Sequence, residues 1–187
     1  MSNVSSPYQA IIIGLGNIGM GYDYDHPPNS KKIITTHAQA FANHPEFELI
    51  AGIAPAPNLR QKFEDKFGQK TYENLESFKA ENPDHQNLVV SIAVPTDHHV
   101  TAAQEALTLN PKALLIEKPF GDDPEKAQDL IETAEQQGCF IAINYIRLFD
   151  QIVSSVTLDI EENAYGAFRK ASFFYTKGIR NNGSHII

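Results

Sequence analysis

Lys118 is the residue whose setting most suggests chemistry. It stands in Glu117-Lys118-Pro119, directly after the apolar run Ala113-Leu-Leu-Ile116. Proline fixes its own φ and keeps the preceding residue out of helical geometry, so the lysine is held extended at a strand end. An ammonium there can stabilise charge developing on a carbinol oxygen, and Glu117 can tune it by pairing. The competing reading is an ordinary solvated lysine. His185, in Asn181-Asn-Gly-Ser-His185, has a side chain suited to proton transfer near neutral pH. It lies close to the chain end and can equally be unanchored. Arg147, in Asn144-Tyr-Ile-Arg147, fits either an anionic substrate group or an interdomain ion pair.

A glycine pattern supplies the site such residues would serve. Gly14-x-Gly16-x-x-Gly19 follows Ala10-Ile-Ile-Ile13, a buried-strand pattern. The first glycine permits a tight turn, the second lets backbone approach a pyrophosphate, and the third allows close helix packing. A helix start beyond them offers free N–H groups to the phosphates. The context favours dinucleotide binding over an ordinary strand-to-helix turn. One element is missing. The second strand of such a fold usually ends in Asp or Glu, which binds the adenosine ribose; here that position is Ala54, and no acid occurs between Glu48 and Glu64. Asn58 or Arg60 is left to contact the ribose or a 2′-phosphate, so NAD and NADP both stay open. His98 and His99 follow Val94-Pro95-Thr96. Neighbouring helical residues diverge by about 100°, so the pair does not converge on one metal. With one cysteine and no spaced ligand cluster, no metal site is expected. His99 is expected to line the cofactor groove, with a satisfied capping histidine as the rival reading.

These residues need a sheet to hold them. Short apolar runs at Ala10–Ile13, Glu48–Ile53, Leu88–Val94, Ala113–Glu117 and Phe140–Asn144 alternate with helical patterns at Thr36–Asn43, Asn58–Phe67, Asn74–Glu81, Asp97–Leu109 and Asp123–Gln137. That alternation predicts an α/β fold, a Rossmann-type doubly wound parallel sheet. Gly138 is placed to end its helix, and Asp97 to cap the one beginning near His98. The helix expected after Gly19 is delayed by Met20–Thr35, either a solvated insertion or a flap over the ligand. The rhythm changes near residue 146. The expected division is 1–146 for an NAD(P)-binding domain and 147–187 for the start of a second α/β domain, with a helix at Gln151–Leu158 and a strand within Phe168–Thr176. The apolar ending Ser184-His-Ile-Ile187 reads as an interrupted chain, and that strand as an unpaired, association-prone edge.

The totals exclude other classes. The chain has 187 residues, 42% apolar and 20% charged, with a formal net charge of −8. That is long enough for a sizeable core without disulfides, and Cys139 has no partner to form one. The negative balance argues against nucleic acid or anionic membrane as a partner. There is no apolar membrane-spanning stretch and no signal-peptide pattern, so a cytoplasmic setting is expected.

In their order, Gly14-x-Gly16-x-x-Gly19, Val94-Pro95-Thr96-Asp97-x-His99, Glu117-Lys118-Pro119, Arg147-x-Phe149-Asp150 and Gly183-Ser-His185 resemble the glucose–fructose oxidoreductase/inositol dehydrogenase (Gfo/Idh/MocA) family. The segment from Tyr175 to His185 is further similar to its polysaccharide and nucleotide-sugar branch. The resemblance implies a Rossmann domain followed by a substrate domain that often mediates homo-oligomerisation. It implies hydride transfer between NAD or NADP and a ring hydroxyl or ketone of a sugar, nucleotide sugar or cyclitol. Lys118 and His185 match its catalytic residues, and Arg147 falls to substrate. Gly14, Gly16, Asn17, Ile18, Gly19, Val94, Pro95, His99, Glu117 and Lys118 fall to the cofactor. The aspartate of the family's histidine motif would follow Ile187, and most of a substrate domain is missing. The reading from a different class is therefore a non-catalytic dinucleotide-binding or regulatory module, and little turnover is expected from these 187 residues alone.

Overall fold

The computed structural model describes residues 7–30, 33–83, 87–167, 169, 170 and 172. Six strands form one parallel sheet: β1 Tyr8–Ile13, β2 Phe47–Ile53, β3 Lys70–Tyr72, β4 Leu88–Ile92, β5 Ala113–Ile116 and β6 Phe140–Ile143. Their spatial order is β3-β2-β1-β4-β5-β6. The chain winds outward from β1 to one side, then returns to β4 and winds outward on the other. This is the expected Rossmann-type architecture. The centre of such a sheet is covered on both faces, which demands strands apolar throughout. Every residue of β4 is buried, as are Ala10, Ile11 and Ile12 of β1.

Alternation along β1 divides the core into two layers. Ile11 joins Val90, Ile92, Leu114 and Ile116 under Phe78, Ala103, Ala106 and Leu130. Ala10 and Ile12 face the other way, with Leu15, Met20, Ala38, Phe41 and Phe63. The helices are α1 His37–Asn43, α2 Pro57–Phe67, α3 Leu75–Glu81, α4 His99–Leu107 and α5 Pro124–Gln137. Their ends follow the sequence signals. The side chains of Thr36, Asn74 and Asp123 accept the first backbone N–H groups of α1, α3 and α5, and Gly138 closes α5 at φ +66°.

Two points differ from expectation. β3 was not anticipated: three residues, Lys-Thr-Tyr, carry no apolar run, and the strand exists only by pairing with Ala51–Ile53. Asp97 does not cap a helix. It lies in a 3₁₀ turn, Thr96–His98, and α4 starts after His98 without a side-chain cap. The helix after Gly19 is delayed as expected: Asn17–Gly21 closes a π-helical turn, and the next helix, α1, begins at His37.

The chain divides into two units, Met1–Tyr145 and Ile146–Ile187. In the second, a 3₁₀ turn at Ile146–Phe149 leads into α6, Gln151–Glu161, capped by the Asp150 carboxylate on the Ile152 N–H at 2.9 Å. The helix runs three residues past its expected end. The strand expected within Phe168–Thr176 falls almost wholly outside the described residues. No helix among the described residues is long and apolar enough to cross a membrane.

Candidate active site

In open parallel sheets, ligands bind beyond the carboxyl ends of the strands where the winding reverses, here between β1 and β4. The three glycines stand at that point for three different reasons. Gly14 has φ +99°, and a Cβ on it would lie 2.5 Å from the Ala93 carbonyl oxygen. A Cβ on Gly19 would lie 2.0 Å from the Gly14 carbonyl oxygen. Both are glycine because the chain touches itself. Gly16 is different: its φ is −76°, ordinary for any residue, and a Cβ there would meet nothing within 4 Å. The protein's own folding does not require this glycine, so the space beside it fits an approaching ligand. The N–H groups of Asn17 and Ile18 open the next turn and have no backbone partner among the described residues. Bare backbone and free donors suit a pyrophosphate.

From Gly14 a groove of about 250 Å³ runs along the strand ends, lined by Ile13, Ile53, Ala54, Glu73, Val94 and His98, among others. A larger depression beside it, bounded by Asn74, Lys79 and Thr108 of α3 and α4, does not reach the glycine turn. Ala54 is buried, and its carbonyl, with that of Pro55, accepts Arg60 Nη1 at 2.8 Å from each.

Lys118 lies just past β5, exposed, about 10 Å from β1 across the sheet at the usual strand spacing. Glu117 does not pair with its ammonium. The carboxylate is buried: Oε1 accepts from His37 Nε2 at 2.9 Å and from the Asn144 side-chain amide, and Oε2 accepts the Lys118 backbone N–H at 3.3 Å. Burial pushes the Glu117 carboxyl upward, but the donors from His37, Asn144 and Lys118 prevail and hold it below its ordinary range. His37 Nδ1 faces the Ser91 hydroxyl at 2.7 Å. With the proton on Nε2, the imidazole donates to Glu117 and accepts from Ser91, so every polar atom is satisfied. The expectation that Glu117 tunes Lys118 by pairing is thus corrected, because His37, Asn144 and the Lys118 backbone take up its carboxylate. This also takes it out of the cofactor groove.

His99 is corrected too. It does not line the groove: its ring is 1% exposed, with Nδ1 at 2.7 Å from the Pro119 carbonyl and Nε2 at 2.9 Å from that of Val94. It ties the β4 end to the β5 end, and His98 takes the groove position. Val94 lines the groove, and Pro95 is exposed beside it. Arg147 Nη1 pairs with Asp150 within its own turn at 3.4 Å. His185 lies outside the described residues.

The Met20–Thr35 insertion is not merely solvated. Asp23, 1% exposed, accepts the N–H groups of Thr35 and Thr36 at 2.9 and 3.0 Å, the Thr36 hydroxyl at 2.7 Å and Lys66 Nζ at 3.4 Å. This knot pins the end of the insertion to the start of α1, so His37 is placed by Asp23.

Sequence reasoning missed His37, Ser91, Asn144 and Asp23. The available signal was Ser91, a lone hydroxyl in an otherwise apolar strand. No group of three or more potential metal ligands occurs among the described residues.

Fold and glycine turn together define a dinucleotide-binding Rossmann domain, with an exposed lysine just past β5. Residues 9–145 match the family model described as an oxidoreductase family with an NAD-binding Rossmann fold, and the chain belongs to that Gfo/Idh/MocA family. No curated protein matches the sequence. Among solved structures, a variant of the 3-ketoreductase KijD10 from Actinomadura kijaniata, bound to TDP-benzene and NADP, is 20% identical with TM-score 0.66, covering 87% of this chain and 46% of that one. The WlbA dehydrogenase of Bordetella pertussis, bound to NADH and UDP-GlcNAcA, gives 18%, 0.68, 86% and 43%. Myo-inositol 2-dehydrogenase of Lactobacillus plantarum gives 19%, 0.65, 86% and 42%. At these identities the likeness establishes the fold. The chain spans less than half the length of each.

Proposed function

We propose that this chain is the cofactor-binding portion of an NAD(P)-dependent oxidoreductase acting on a ring hydroxyl or ketone of a sugar, nucleotide sugar or cyclitol. The observation that carries it is the unfilled space at Gly16, beside the Asn17 and Ile18 N–H groups that have no backbone partner among the described residues, with Lys118 exposed past β5 two strands away. Gly14, Gly16, Asn17, Ile18 and Gly19 hold the pyrophosphate, and Val94 and Pro95 border the nicotinamide. When bound, the nicotinamide cofactor supplies the hydride acceptor or donor. The chain's own part is to hold and polarise. Lys118 Nζ, left free because Glu117 is occupied elsewhere, stabilises negative charge on the substrate oxygen, whose proton His185 takes on oxidation and returns on reduction. Arg147 and His185 belong to the substrate side, as binder and as base, in a second domain that begins near residue 147. The family, the TDP-benzene bound to KijD10 and the UDP-GlcNAcA bound to WlbA support the substrate class. A homo-oligomer in the cytoplasm is the setting proposed for the whole protein.

NADH fluorescence titration tests the binding claim; a Kd above the millimolar range would remove it. For chemistry, Lys118→Met in a protein that includes the second domain should cut kcat by about 10²-fold or more at little changed cofactor Kd. Unchanged kcat would take Lys118 out of the mechanism.

The second reading is a dinucleotide-binding module without catalysis. Sugar-dependent NAD(P) reduction by the 187-residue chain alone would rule it out.

A further inference from the structure

We infer that the groove selects a dinucleotide whose adenosine ribose carries a free 2′-hydroxyl, NAD over NADP, and that Glu73 supplies the carboxylate that receives it. This rests on the cofactor role proposed for the glycine turn.

The acid missing from the end of β2 is present one strand over. Ile53 pairs with Tyr72 in parallel register, and the Ala54 N–H donates to the Tyr72 carbonyl at 3.0 Å, so the next residue of β3's run, Glu73, stands beside Ala54. Neighbouring strands are about 4.8 Å apart. Glutamate is one methylene longer than the aspartate usual at the β2 position, which recovers part of that offset. Glu73 is exposed and lines the same groove as Gly14, Ala54 and Val94. A ribose diol offers two hydroxyl donors, and an ionised carboxylate accepts both through charge-assisted bonds.

A 2′-phosphate finds the opposite environment. Glu105 of α4 lines the groove as well, and neither glutamate is ion-paired with a lysine or arginine among the described residues. A phosphate monoester near neutral pH adds about −1.5 to −2 of charge to that wall. The basic residue nearest Ala54 in sequence, Arg60, is engaged elsewhere. Its Nη1 is held by the Ala54 and Pro55 carbonyls, and its side chain does not line the groove.

The test is titration of the 187-residue chain with NADH and with NADPH by fluorescence or calorimetry. NADH should bind at least about tenfold tighter, equivalent to ~1.4 kcal/mol. Glu73→Gln, at an exposed position that tolerates substitution, should abolish that preference, with circular dichroism confirming the fold. Arg60→Ala should leave NADPH affinity within about twofold. Equal or tighter NADPH binding, or an NADH preference that survives Glu73→Gln, overturns the inference while leaving the binding site intact. Binding of neither dinucleotide overturns both.

Discussion

His37 Nε2 lies 2.9 Å from Glu117 Oε1, across eighty residues of sequence, and both side chains are buried. The first residue of α1 and the first residue past β5 thus share one proton, and Ser91 and Asn144 complete the pairing on either side. Lys118 is connected to this network by its backbone alone, through its N–H on Glu117 Oε2. The protein thereby separates two neighbouring charges: the carboxylate is spent on the fold, and the lysine side chain is left exposed.

Removing the imidazole should be costly, because it strands a buried carboxylate. His37→Leu is expected to lower unfolding free energy by about 3 kcal/mol. His37→Gln, which keeps an amide donor near the Nε2 position, should recover a good part of that. Urea denaturation at pH 7 measures both. Equal losses for the two variants would mean that volume, not the hydrogen bond, sets the cost.

Acid should weaken the fold in a defined window. Glu117 and Asp23 are both held below their ordinary values of 4.5 and 3.8, despite burial that acts the other way. A depressed carboxyl pKa contributes stability that is complete above the unfolded value and lost as pH falls through the folded one. Melting temperature should therefore begin to drop near pH 4.5 and continue falling beneath 3.8. Glu117→Gln, less stable at pH 7, should give a flatter curve over the same range. A parallel curve would show that this carboxyl is not the one titrating.

Two glycines two residues apart should fail in opposite ways. Gly14→Ala forces a Cβ against the Ala93 carbonyl at φ +99° and should cost about 2 kcal/mol or more in stability. Gly16→Val places its Cβ where no protein atom lies within 4 Å, so melting temperature should stay within about 2 °C while NADH affinity falls at least about tenfold. Differential scanning fluorimetry and NADH titration on the same samples separate these outcomes. Undiminished affinity in Gly16→Val would place the pyrophosphate elsewhere.

Asp23 should govern the insertion. An amide cannot accept from all these donors as a carboxylate does, so Asp23→Asn should loosen Thr35 and Thr36 and open the preceding segment. Limited proteolysis between residues 24 and 34 should accelerate by about an order of magnitude if local opening costs ~1.4 kcal/mol less. An unchanged cleavage pattern would mean that Tyr24 and Gln39, which bond the Lys62 carbonyl and the Pro27–Ser30 turn, hold the segment without it.

What the sequence determined by itself was local. An apolar run into Gly14-x-Gly16-x-x-Gly19, strand and helix periods, and caps such as Thr36, Asn74 and Gly138 act over a few residues, where steric and hydrogen-bond preferences are short-ranged. They were enough for the α/β class and the position of Lys118. Tertiary structure decided the rest, because it depends on which strand ends meet. His37 reaches Glu117 only once β1, β4 and β5 lie side by side, and that contact redirected a carboxylate whose neighbour in sequence is a lysine. His99 turned from the groove because two backbone carbonyls of separate strand ends surround its ring. β3 carries no pattern of its own, yet its pairing with β2 sets Glu73 beside Ala54. Burial makes each of these pairings matter, since a polar group withdrawn from water must find its partner within the fold, wherever in the chain that partner is.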